Sequence, residues 1–167
     1  MSEAIVNIVG TGSTLMGDDG LGPAAIEELQ RRGVPEGICL YDAGLAVSDV
    51  LGTLDPARPL VLIDALRAGS APGSIYRARL DEMTPETGSL PQSVSLHEIG
   101  AFQALQIEAM SGRRFSDVTL FSVEPQRVAW GEGLTAPVRA AMPKLIDAVL
   151  DYVDSQLAAT AAGDTSQ

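Results

Sequence analysis

Two adjacent carboxylates, Asp18 and Asp19, stand near the end of a glycine-punctuated stretch, VGTGSTLMGDDGLG, that spans residues 9–22. An apolar run precedes this stretch and a helical pattern opens at Pro23. A strand feeding a Gly-rich loop at the start of a helix suits ligand binding: the loop backbone approaches closely and the helix N-terminus carries partial positive charge. Acids in such a loop repel anions and turn the preference towards cations. More acids follow the apolar runs downstream, Asp42 after the second, Asp64 after the third and Glu124 after the last. The sole histidine, His97, lies at a loop-to-helix junction. In an open α/β sheet, residues beyond the carboxyl ends of the strands gather on one rim. Carboxylates and an imidazole with room for water make a site for a divalent metal of the nickel or zinc type. At the second position of a helix the dipole biases His97 towards neutral imidazole, the form that binds metal. The plainer reading makes Asp42 and Asp64 ordinary strand-end residues, His97 a solvated first-turn residue, and Asp18 and Asp19 helix caps.

Two nucleotide motifs are nearly matched. Gly10-Thr11-Gly12 opens a dinucleotide fingerprint, and Asp42 stands where its ribose acid belongs, but the third glycine is replaced by Leu15. Gly12 to Gly17 has phosphate-loop spacing, but Asp18-Asp19 replace the Lys and Ser/Thr that phosphates require. Gly10, Gly12, Gly17 and Gly20 are therefore read as loop-shaping residues, with Gly10 and Gly12 as turn-formers. No nucleophile-elbow motif occurs, and Cys39 falls inside an apolar run as a small hydrophobe.

The elements that must position these residues alternate along the chain. Ala4–Val9, Gly37–Tyr41, Leu60–Ile63 and Asp117–Val123 read as buried strands, and Ile75–Leu80 alternates as a half-exposed one. The short link from the third strand to Ile75 suggests a hairpin and hence an antiparallel edge strand. Helical patterns cover Pro23–Arg32 and Val47–Leu54. A third starts at the capping box Ser95-Leu96-His97-Glu98 and ends at Gly112, and the last runs from the Thr135 cap to about Leu157. Pro143 inside the last helix predicts a kink or break. Asp81 to Ser93 reads as an irregular loop. Apolar runs alternating with helices indicate an α/β fold: a three-layer, mostly parallel, twisted five-stranded sheet with one antiparallel edge strand and helices on both faces. Residues 1–157 form one domain, and residues 158–167, small and polar, read as a disordered tail.

The chain has 167 residues, 46% of them hydrophobic, enough for one core. Its net charge of −11 argues against a nucleic-acid partner or an anionic membrane surface. One cysteine gives neither a disulfide nor a CxxC metal site. No secretory leader or membrane span is visible, so the expectation is a cytoplasmic protein without membrane insertion.

Taken together, GTGSTLMGDDGLGP, LIDA at 62–65, PGSIY at 72–76, SLHEIG at 95–100 and SVEPQRVAWGEGLTAPV at 122–138 resemble the hydrogenase maturation endopeptidases. These are the proteases that trim the large subunits of nickel–iron hydrogenases. The resemblance is collinear over about residues 4 to 155. It implies an endopeptidase that removes the C-terminal extension of a nickel–iron hydrogenase large-subunit precursor after nickel insertion. The nickel is then substrate-borne, and other divalent ions are able to substitute. Asp19, Asp64 and His97 match the nickel-binding positions, with Asp18, Asp42 and Glu124 as secondary candidates. No separate catalytic residue is assigned. Ser13 stands where family members commonly carry Asn. A monomer is expected. Two other readings share these residues: a non-catalytic nickel- or precursor-binding maturation factor, and a nucleotide-binding α/β protein.

Overall fold

The computed structural model describes residues 4–80 and 100–164. The capping box and His97, and the loop expected at Asp81 to Ser93, lie outside the described residues. Five strands form one sheet: β1 (Val6–Thr11), β2 (Ile38–Gly44), β3 (Leu60–Ala65), β4 (Ile75–Arg79) and β5 (Val118–Val123), in the order β2-β1-β3-β5-β4. The first three and β5 run parallel, while β4 is antiparallel to β5.

β4 is the antiparallel edge strand that its alternation predicts, but it forms no hairpin with β3. β5 lies between them. Every residue of β5 is buried, so it takes a central place with neighbours on both sides. β4 carries Arg77 and Arg79 on one face and suits the rim.

Helices α1 (Leu21–Arg32) and α4 (Ala136–Asp164) cover one face, packing Leu21, Ile26 and Leu29 with Leu145, Ile146 and Val149 on Val6, Ile8, Val61 and Phe121. Helices α2 (Val47–Thr53) and α3 (Gly100–Met110) cover the other, where Leu51, Phe102 and Leu105 meet Val9, Leu62 and Leu120. Because side chains alternate across a strand, Thr11 and Asp64 lie on the α2/α3 face and Asp42 on the α1/α4 face.

The structure bears on two expectations for the last helix. Of the kink or break expected at Pro143 the break does not occur: α4 continues through it, and Pro143 and Arg139 both lie on the exposed side of the helix, where the carbonyl that the proline leaves without a donor is free to turn to solvent. It also runs on to Asp164, past the expected start of the tail at residue 158. Residues 158–163 are exposed, and the strong helix formers Ala158, Ala159, Ala161 and Ala162 prolong the helix without packing.

Candidate functional site

β1 does not stop at Val9 but continues to Thr11, where a bulge between Gly10 and Thr11 turns the chain. Gly12 follows with φ +121, and its Cβ would collide with the Asp19 carbonyl oxygen, so only glycine fits. Gly10 is not a turn-former. Its Cβ would strike the Gly22 carbonyl and the Ile26 side chain, and a Cβ on Gly22 would strike the backbone of Thr11 and Ile63. This pair brings α1 against β1 and β3, the task that the missing third glycine of a dinucleotide fingerprint would have served.

The loop then winds into a single 3-10 turn, Gly17–Gly20. With three residues per turn, Asp18 and Asp19 point about 120° apart. Asp18 turns inward and is fully buried. Its carboxylate accepts hydrogen bonds from the backbone N–H groups of Gln126, Arg127 and Thr135 and from the Thr135 hydroxyl, at 2.7 to 2.9 Å. Burial raises its pKa, but these hydrogen bonds outweigh burial and hold it below the ordinary aspartate value. The carboxylate thereby clamps the loop between β5 and α4 onto the acid loop. Backbone bonds from Gly17 to Gly131 and from Gly131 to Leu15 complete the seam.

Asp19 stays half-buried on the other side of the turn, its Oδ2 accepting the Ser13 N–H at 2.8 Å. This is a loop-closing bond that the Ser13 backbone makes whatever its side chain. Asp64 is the penultimate residue of β3, inside the sheet and opposite Ser122 of β5, whose hydroxyl donates to the Asp64 carbonyl. Burial pushes the Asp64 carboxyl up to about 7, and the nearby negative charge of Asp19 adds to the rise. Hydrogen bonds from the Thr11 hydroxyl and the Ala65 N–H offset part of it. Asp19 and Asp64 are thus brought together, from two strand ends, as an interacting acid pair.

The other rim acids are not part of that pair. Glu124 is buried, and its carboxylate accepts the Ala68 N–H and the Tyr76 hydroxyl, each at 2.7 Å, so it tethers the loop after β3. Asp42 is exposed and accepts the Gly44 N–H, beside a cleft of about 370 Å³ on the α1 side lined by Glu27 and Gln30. Among the described residues no group of three His, Cys, Asp or Glu side chains is placed to hold a metal ion. Two carboxylates of the expected set meet there, and their oxygen donors suit a divalent cation. Thr11 is the contact that spacing alone misses. Its position two residues beyond Val9, on the same face of β1 and beside β3, is the signal that register supplies.

The family model described as hydrogenase maturation protease, HycI type, matches residues 23–152. The chain belongs to the hydrogenase maturation protease family. The hydrogenase expression/formation protein HupD of Bradyrhizobium diazoefficiens is 32% identical over 142 residues, covering 84% of this chain and 73% of the relative. The hydrogenase 2 maturation protease of Escherichia coli is 28% identical over 145 residues, covering 86% and 87%. Among solved structures, the hydrogenase maturating endopeptidase HybD from E. coli superposes with a TM-score of 0.74 at 26% identity, covering 90% of this chain and 92% of that one. The chain is accordingly an enzyme, a protease of hydrogenase maturation. No helix among the described residues is long and apolar enough to cross a membrane.

Proposed function

We propose that this maturation protease removes the C-terminal extension of a nickel–iron hydrogenase large-subunit precursor once nickel has been inserted, and that it uses the precursor's nickel as its recognition element. The reading is supported above all by the meeting of Asp19 and Asp64 at the carboxyl rim while Asp18 and Glu124 are turned inward. In this proposal Asp19, Asp64 and His97 face the substrate's metal. Asp64 gives up its proton as it engages the cation, so binding strengthens as pH rises towards 7. Thr11 keeps the Asp64 carboxyl oriented, and the Asp18 clamp keeps Asp19 at a fixed distance from β3. The metal is cargo of the substrate and other divalent ions compete for the same oxygens. An open rim with two carboxylates and, among the described residues, no closed cage suits transient engagement followed by release. The protein acts as a monomer in the cytoplasm on this reading.

The test is to incubate the protein with nickel-loaded and nickel-free precursor and follow both masses. Loss of a C-terminal peptide from the loaded form alone is expected. Asp19→Asn and His97→Ala should each lower the processing rate by at least about 100-fold, the usual scale for a group that acts at the reacting centre, with the circular dichroism unchanged. A stable complex without cleavage would replace the protease by a binding factor, and full activity in both variants would remove the metal-recognition role.

A further inference from the structure

Five large apolar side chains are exposed among the described residues: Leu15, Leu45, Ile107, Met110 and Trp130. Ile107 and Met110 lie on α3. The other three stand on the acid loop that leads into the Asp19 turn, or on a loop whose backbone is bonded to that acid loop. Leu15 is in that loop, 48% exposed, and its carbonyl accepts the Gly131 N–H at 3.0 Å. Trp130, the residue before Gly131, is 76% exposed. Leu45 is 81% exposed and follows Gly44, whose carbonyl accepts the Gly12 N–H at 2.9 Å. Gly12 in turn packs on Asp19.

These side chains are exposed but their backbones are fixed. The Trp130 carbonyl accepts the Arg127 guanidinium, Gly17 and Gly131 pair across the seam, and Asp18 anchors the N–H groups of Gln126 and Arg127. An indole and two leucines held open to water on a rigid frame are costly for the free protein and are the side chains that fill pockets in protein interfaces. A small molecule reaching Asp19 and Asp64 would leave Leu45 and Trp130 bare, whereas a folded protein bringing a metal centre to the acids must cover them.

We infer that Leu15, Leu45 and Trp130 form the docking surface for the precursor, an apolar collar around the acid pair that seats on an apolar face of the folded large subunit. This rests on the proposed function, whose acids it surrounds. The collar sets affinity, and the acids act within it.

Trp130 is the sole tryptophan, so a 5-fluorotryptophan-labelled protein has a single ¹⁹F resonance that reports on it directly. Adding nickel-loaded, full-length precursor should shift that resonance and shield it from a soluble paramagnetic quencher. Trp130→Ala and Leu15→Ser should each weaken precursor binding, and raise KM for processing, by about tenfold or more with kcat little changed, while Met110→Ser, equally apolar and exposed but on α3, should do neither. An unmoved resonance at saturating precursor, or wild-type binding in both collar variants, overturns the inference. If the precursor binds and the collar variants weaken binding but no peptide is released, the collar stands and the protease reading falls. If wild-type protein neither binds nor cleaves the precursor, both fall.

Discussion

The Asp64 carboxyl is pushed up to about 7 from 3.8, by burial first and by Asp19 second, so the folded chain holds a proton there that the unfolded chain has already released. A folded value above the unfolded one makes stability fall as pH rises between about 4 and 7. Asp64→Asn removes that term. The stability gap between the Asn variant and the parent should widen across this window by on the order of 2–4 kcal/mol and level off above it. Urea melts at several pH values measure the gap, and a constant gap refutes the coupling. Asp18 runs the other way. Its carboxyl is held below the ordinary value, so its contribution is present above 3.8 and is lost as pH falls further. Asp18→Asn puts an amide donor against backbone donors and should cost about 2–4 kcal/mol at neutral pH, read by the same melts. Both acids were legible in sequence as residues at a strand-end rim. The resemblance singles out Asp19 over Asp18 and leaves Asp18 a loop-stabilising acid, but the residues alone do not say which of the two faces inward, because that depends on a 3-10 turn that the spacing of glycines leaves undetermined. Glu124 misleads for a related reason: a place at the end of β5 does not tell which way the side chain turns, and Tyr76 of β4 and Ala68 of the loop after β3 capture it.

At the scale of elements, the approach of α1 to the sheet depends on one glycine pair. A Cβ on Gly22 would lie 2.1 Å from the Thr11 carbonyl oxygen and 2.7 Å from that of Ile63, both backbone atoms that have nowhere to go. Gly22→Ala should cost at least about 3 kcal/mol or prevent folding. Gly52→Ala, in α2 with nothing within 4 Å, should stabilise by about 0.5–1 kcal/mol. Thermal melts of the pair separate crowding from propensity, and equal effects would refute the packing argument. Helix and strand positions were legible because apolar runs and helical periods were strong, from the run Leu60–Ile63 within β3 to the face of α4. The partner of β4 was not. Loop length between β3 and β4 allows a hairpin, and only the full burial demanded by β5 decides that a third strand comes between them.

Seen whole, both hydrophobic layers are complete before the last stretch of α4. Val149, Tyr152 and Val153 are buried and Leu157 packs at the margin, while residues 158–163 are exposed. Removing residues 158–167 should therefore shift Tm by no more than about 2 °C, in keeping with the small effects of changes at exposed positions. A loss of cooperative unfolding would instead make the extension part of the domain. The layered arrangement and the edge strand follow from pattern and composition. The collar of exposed apolar residues does not, since Leu45 and Trp130 look in sequence like any other loop or core hydrophobe until the seams between loops are known.

The Asp18 clamp joins position 18 to positions 126–135. A chain made from its N-terminus exposes the acid loop early but completes it late. While positions 126–135 are still within the ribosome, Asp18 lacks these four donors and the Asp19 turn has no frame. The newborn fragment thus carries the acids of a protease without the arrangement that would let them act, and competence arrives only once positions 126–135 have emerged and closed on Asp18.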